Sequence, residues 1–285
     1  MVDLFRRRLL KTGAAATAMA AAASALGQQR PPQGDGTSFF ERNGIRIRYQ
    51  DGGGKGFPLF IIPGGGLNSV LSGLKNPFDT FGEFQGEYRC IAMDLRNATT
   101  GQSTGPIEPD RSWDSHADDQ LALLDHLGIK QFAVMGFCIG GPFIWNLLKR
   151  APNRIVAAVP AQPVGFRPEM PDVLYDGSKA WAADFLKKRP EVSADTVERY
   201  LTNMFRKNAD FVFTVSRDFV RSCQTPVLIC PDDVAAHPFA VAMEVAQLAP
   251  KSEVSLYPWK VPPERIPIAV RQIKSFLKAH RPAST

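Results

Sequence analysis

Cysteine and histidine are both scarce in this 285-residue chain, with four of each. Cys90, Cys138, Cys223 and Cys230 form no CxxC pair and sit in no His/Cys cluster. That excludes a recognisable zinc site, and four cysteines are too few for a disulfide-built scaffold. Cys90 and Cys230 lie inside apolar runs, where a thiol behaves as a small buried hydrophobe. No internal repeat is present, and glycine and proline are spread along the chain without clustering, which excludes collagen-like and low-complexity architectures. Basic residues do not gather with interleaved aromatics anywhere, so no nucleic-acid partner is expected. What is present is 44% hydrophobic residues against 22% charged. Such a chain buries a sizeable core, as one large α/β domain or two small ones.

The formal charge of +6 sits partly at the amino end. Arg6-Arg7-Arg8-Leu9-Leu10-Lys11 precedes an uncharged, alanine-rich stretch over residues 13–26. A basic head, an apolar run of this length and the small residues Ala23-Ser24-Ala25 are the three parts of an export signal. The paired arginines resemble the twin-arginine type, used by bacteria for proteins that fold before export. The run is too short and too alanine-rich for a membrane span. An uncleaved anchor or an alanine helix of the fold is the alternative. Residues 1–27 are therefore expected to be a signal, residues 28–37 a Gln/Pro/Gly-rich linker, and residues 38–285 the working domain of an exported, periplasmic or secreted, bacterial protein. Losing the signal removes Arg6, Arg7, Arg8 and Lys11 against Asp3 alone, so half of the basic excess is not a binding surface.

Short apolar runs alternate with helical patterns through the rest. Residues 46–50, 58–62, 88–93, 132–135, 155–159, 226–230 and 253–257 are expected strands, and residues 112–127, 142–150 and 266–279 expected helices. Strands apolar throughout and separated by helices predict a mostly parallel, doubly wound α/β sheet covered on both faces. Residues 166–222 interrupt the rhythm with three helical patterns, at 178–188, 194–207 and 209–220, and many large apolar side chains. An insertion of this kind predicts a helical lid over the sheet edge where ligands bind; plain extra core is the alternative.

The strand at 132–135 runs into Gly136-Phe137-Cys138-Ile139-Gly140-Gly141 and then directly into a helix. So sharp a turn strains its central residue, and the glycines two before and two after remove colliding Cβ atoms. Cys138 is presented at a helix N-terminus, where unpaired N–H groups stabilise an anion and the thiolate is favoured. A glycine-rich packing turn with a buried cysteine is the alternative.

At these residues the chain resembles the α/β-hydrolase family, with cysteine in the place usually held by serine. Ile61-Ile62-Pro63-Gly64-Gly65-Gly66 is similar to the family's oxyanion loop, with Pro63 where a histidine is usual. Asp94-Leu95-Arg96-Asn97 with Gly101-Gln102-Ser103 is similar to the Asp-x-Arg-Gly-x-Gly-x-Ser turn. A cysteine elbow is similar to the dienelactone hydrolase branch, while the lid and C-terminal half resemble lid-bearing esterases.

The resemblance implies Cys138 as nucleophile, and Gly65 or Gly66 with Ile139 as oxyanion donors. It also implies an acid after the strand at 226–230, at Asp232 or Asp233, with the Gly-x-x-Asp spacing tilting towards Asp233. The family's histidine is expected in residues 258–265, where there is none and where Arg265 stands instead. His280 lies at the far end of the closing helix, about 20 Å away at 1.5 Å per residue. His116 and His126 are expected at the surface and end of their helix. His237, just beyond the aspartates, remains as the candidate base, with a loop histidine beside a helix cap as the alternative.

The expected function is hydrolysis of a carboxylic ester, thioester or lactone with a hydrophobic part, through Cys138 and without cofactor or metal. The competing classes are an inactive hydrolase-fold binding protein and a lyase using the same pocket. The export reading has a direct test. Protein recovered from its native compartment should lack residues 1–27 or nearly so, and replacing Arg6 and Arg7 by lysine should block export. Amino-terminal sequencing that finds Met1 on the mature protein refutes it.

Overall fold

A computed structural model describes residues 37–282; the expected signal and all but the last residue of the expected linker lie outside the described residues. Eight strands form one sheet: β1 (Thr37–Arg42), β2 (Ile45–Asp51), β3 (Phe57–Ile62), β4 (Tyr88–Met93), β5 (Phe132–Phe137), β6 (Ile155–Ala161), β7 (Val227–Ile229) and β8 (Ser252–Val254). Their order is β1-β2-β4-β3-β5-β6-β7-β8. The contacts β1–β2 and β2–β4 are antiparallel, and every other pairing is parallel. The mostly parallel, doubly wound sheet is thus what the chain forms.

Nine α-helices of the described residues surround it: α1 (Thr80–Phe84), α2 (Asp114–His126), α3 (Gly140–Arg150), α4 (Val173–Gly177), α5 (Lys179–Lys188), α6 (Ala194–Phe205), α7 (Arg217–Ser222), α8 (Phe239–Leu248) and α9 (Ile266–His280). Successive side chains of a strand point to opposite faces, and the core divides accordingly. Leu59 and Ile61 of β3 join a cluster with Phe84 of α1 and Phe276 of α9. Phe60 and Ile62 join another with Leu123 of α2 and Phe143 of α3. Continuous apolar strands are required because neither face meets water.

Two elements differ from the sequence expectation. β1 begins where a linker was expected; its exposed, polar-flanked sequence gives a weak strand signal at the sheet edge. The turn after it carried the signal that was missed. Asn43 and Gly44 both have positive φ, 50° and 75°, the backbone that an Asn-Gly hairpin supplies. The third helical pattern of the insertion, 209–220, is a helix only over Arg217–Ser222. Phe211 and Phe213 take φ of 48° and 65°, so residues before Ser216 cannot continue a right-handed helix.

The segment after β4 is fixed by a buried ion pair. The Arg96 guanidinium donates to Asp119 Oδ2 and Oδ1 at 2.7 and 2.9 Å and to Glu108 Oε1 at 2.6 Å, and also to the carbonyls of Pro106 and Ser115. Both Arg96 and Asp119 side chains are 2% exposed. Removing one partner strands the other charge out of water, so Asp119→Ala should lose about 3–5 kcal/mol of stability. Urea unfolding reads this directly, and a loss below about 1 kcal/mol would mean that Glu108 and the carbonyls suffice.

Candidate active site

β5 turns into α3 with a single tight bend whose apex is Cys138, at φ 56°. Left-handed backbone is costly for a residue with a Cβ and persists only where its surroundings impose it. Here the imposition is visible. Cys138 N donates to the Ala161 carbonyl of β6, and its own carbonyl accepts from Gly141 N and Val164 N. The flanking glycines close the bend, since a Cβ on Gly136 would lie 3.0 Å from the Gly140 backbone.

The loop after β3 comes over the sulfur. Gly65 has φ 116°, and a Cβ there would meet the Asn68 carbonyl at 2.9 Å. Ser69 Oγ donates to the Pro63 carbonyl at 2.7 Å, and Asp94 accepts from Leu71 N at 2.8 Å and from Gln102 N at 2.9 Å. The Asp94 turn thus braces the loop. The backbone N–H groups of Gly65 and Ile139 bear on the Cys138 sulfur. Gly66 lines the same cavity, while its carbonyl accepts from Ser69 N.

The turn after β7 brings the acid and imidazole together. Val234 and His237 close it by exchanging backbone hydrogen bonds of 2.9 and 3.3 Å, and Pro238 leads into α8. His237 Nδ1 lies 3.0 Å from Asp232 Oδ2, both side chains being mostly out of water at 11% and 13% exposure. The sequence spacing tilts towards Asp233; in the structure it is Asp232 that meets the imidazole. Asp233 is exposed and pairs with Arg167 at 3.0 Å. His237 Nε2 is buried and makes no hydrogen bond of ordinary geometry. The imidazole lies near enough to Cys138 that each group moves the other's pKa.

The charges reinforce one another. Burial pushes the Cys138 thiol up, but the His237 contact and charge, with the amides of Gly65 and Ile139, outweigh it and the net shift is downward. Burial pushes His237 down, but Cys138 and then Asp232 outweigh it and the net shift is upward. Burial pushes Asp232 up, but Lys260 and then His237 draw it below the ordinary carboxylate range. The directions for Cys138 and His237 both favour the ion-paired form, thiolate beside imidazolium, over the neutral pair.

Lys260 is the residue sequence reasoning missed. It stands in the loop after β8, where the histidine was expected, and its ammonium donates to Asp232 Oδ2 and Gln162 Oε1, each at 2.6 Å. Its position was the available signal. Arg265 instead donates to the carbonyls of Tyr257 and Pro258 within its own loop. His116, expected at a helix surface, is buried at 3% exposure. It meets the Tyr200 hydroxyl at 2.6 Å, and burial followed by the Arg96 charge pushes it down to about 3; it stays neutral because apolar residues of the insertion cover it. His126 and His280 pack on Phe40 and Phe276.

A cavity of about 300 Å³ opens on Cys138. Leu67, Val164, Val173, Leu174, Trp181 and Phe205 line it, with Asn68 and Ser178 as polar groups beside the Cys138 thiol and no Asp, Glu, Lys, Arg or His side chain. Among the described residues, no three His, Cys, Asp or Glu side chains are placed to hold a metal ion, and no helix is long and apolar enough to cross a membrane.

Comparison with known proteins follows the same geometry. A family model described as alpha/beta hydrolase fold matches residues 58–216. Solved structures align over most of the chain. One is a meta-cleavage product hydrolase from Pseudomonas fluorescens, 19% identical, covering 84% of this chain and 96% of its own, with a TM-score of 0.61. Another is an enol-lactonase from Burkholderia xenovorans, 19% identical over 85% of this chain and 100% of its own, TM-score 0.58. A third is the naproxen esterase from Bacillus subtilis, 18% identical over 85% and 90%, TM-score 0.61.

The four cysteines should separate by reactivity. Burial pushes Cys90 and Cys230 up to about 12, and Cys223 is buried. Cys138 should therefore be alkylated by iodoacetamide first at neutral pH. Its rate should stay high below the pH at which free thiols ionise and fall only as pH drops through its lowered pKa. In His237→Ala the midpoint should move up, because burial then acts on the thiol with less opposition. Peptide mass mapping after timed labelling checks the order, and equal labelling of all four removes Cys138 as a nucleophile.

Proposed function

This chain belongs to the α/β-hydrolase family, and from that premise we propose that it hydrolyses a carboxylic ester, thioester or lactone through a Cys138 thiolate. The observation that carries the reading is Cys138 lining a cavity without charged neighbours, under the influence of a His237 imidazole that is itself paired with Asp232.

The thiolate attacks the carbonyl carbon, an S–C bond forms, and the carbonyl π pair moves to oxygen. The N–H groups of Gly65 and Ile139, which face the sulfur, receive that oxyanion. The intermediate collapses with cleavage of the C–O bond (C–S in a thioester), and the His237 imidazolium gives its proton to the leaving group. His237, now neutral, takes a proton from water as the water oxygen attacks the thioester. The thiolate leaves, the imidazolium is restored, and the net change is ester plus water to acid plus alcohol. Asp232 holds the ring by Nδ1 throughout, leaving Nε2 for the chemistry.

The cavity supports a substrate with an uncharged hydrophobic part. Bringing a carboxylate into a lining without a cation, beside a thiolate, costs solvation that nothing there offsets. Helices α4–α6 of the insertion supply Val173, Leu174, Trp181 and Phe205 to that lining, which supports their reading as a lid. The arginine pair at the amino end supports an exported enzyme.

A panel of p-nitrophenyl esters and lactones, followed by time-resolved mass spectrometry, tests the proposal. Acyl mass on Cys138 that appears and decays is expected. A bound, unmodified ligand would make the chain a binding protein. His237→Ala should lower kcat by roughly two to four orders of magnitude with stability nearly unchanged. Asp233→Ala should stay within about threefold of wild type, as expected of an exposed ion pair away from the imidazole. If His237→Ala leaves turnover intact and Arg265→His raises it, the base is not His237.

A further inference from the structure

Three loops at the C-terminal ends of β6, β7 and β8 meet at Lys260 Nζ. Asp232 Oδ2, on the loop after β7, takes His237 Nδ1 at 3.0 Å and Lys260 Nζ at 2.6 Å. The same ammonium reaches back to Gln162 Oε1 at 2.6 Å. Gln162 is the residue after β6; its φ is 42°, and its N–H donates to the Cys230 carbonyl at 2.7 Å. The lysine side chain is 23% exposed, so it is not a solvent-swept surface group.

Resting on the hydrolase reading above, we propose that Lys260 is a positioning residue of this site, clamping Asp232 against Gln162 and offsetting its charge so that His237 can return to neutral imidazole in the acylated enzyme. Charge balance is the first contribution. In the free enzyme the thiolate and Asp232 face the imidazolium and the ammonium, two charges of each sign. Acylation removes the thiolate. An unopposed Asp232 would then hold His237 as imidazolium, which cannot take a proton from water. Lys260 shares the carboxylate oxygen and reduces that pull.

The groups facing His237 are few. Cys138 approaches from the turn before α3, Asp232 from its own loop, and Lys260 from the loop after β8 by way of Asp232. Asp233 and Arg167 pair with each other nearby, exposed to water. Orientation is the second contribution. With Lys260 on Oδ2 and Gln162 behind it, the carboxylate has one rotamer that also serves Nδ1.

The test reads His237 with and without chemistry. In a Cys138→Ala background no thiolate contributes, and the His237 ring signal is followed by NMR against pH. Lys260→Gln and Lys260→Met should raise its titration midpoint by about one unit, the lower end of what a charge at this range does. Lys260→Arg should leave it near the parent value. In the active chain the neutral variants should lower kcat about tenfold and move the acidic limb of the kcat–pH profile upward, with arginine restoring the limb. Lys260 is on a partly exposed loop and two neutral variants are used, so if one fails to fold the other carries the measurement. An unmoved midpoint in the neutral variants overturns the proposal, even where activity falls, because a purely structural lysine would give that result. A raised midpoint with no ester ever acylating Cys138 keeps the clamp and discards the hydrolase reading.

Discussion

The candidate site depends on keeping a thiol and a carboxylate largely out of water. A thiolate and a carboxylate, each largely buried, would revert to neutral forms unless cations and N–H groups met them. His237 sits between them, Lys260 meets the carboxylate from the far side, and the amides of Gly65 and Ile139 meet the sulfur. Cysteine suits this arrangement better than serine. A thiol needs far less help than a hydroxyl to lose its proton, so an ion pair with imidazole can be the resting state.

Holding those groups at contact distance falls to the backbone. The left-handed bend at Cys138 stores strain, and the sheet opposes its release through β6 on one side and the Gly65 loop on the other. That loop is itself held by Asp94, whose turn is locked by the buried Arg96–Asp119 pair. The insertion is anchored to the same segment. Trp181 Nε1 donates to the Asn97 carbonyl at 2.9 Å, Lys188 reaches the Thr99 carbonyl, and Arg189 donates to the Gly105 carbonyl at 3.1 Å. Helices lining the cavity and the loop supplying the amides therefore share one support.

Much of this was legible in the residues, and the failures have physical causes. Continuous apolar strands and the glycine-flanked bend declare themselves, because burial and steric clearance act on residue type directly. The neutral, buried state of His116 does not, because it follows from a helix of the insertion folding over it. The choice between Asp232 and Asp233 was also hidden. Adjacent residues point in different directions, and a turn closed by Val234 and His237 decides which carboxylate faces the imidazole. Residues 209–216 carry large apolar side chains at spacings a helix would use, yet Phe211 and Phe213 sit at positive φ. Periodicity reports which residues are buried, not the backbone that buries them.

The absence of a histidine after β8 looked like the loss of a base. In space, the β7 turn carries an imidazole beside Asp232. Acid and imidazole both lie on the β7 turn, five residues apart, so their relative placement is fixed by one short closed loop and not by the docking of two. The loop after β8 carries no imidazole, and its ammonium reaches the same carboxylate. A cation there would oppose an imidazolium if it stood alone. Sharing an oxygen with Asp232 turns it into a counterweight, since the carboxylate screens the two cations from each other. Without Asp232 between them His237 as imidazolium and Lys260 would repel, which makes that carboxylate, more than either cation, the group on which the placement of the others turns.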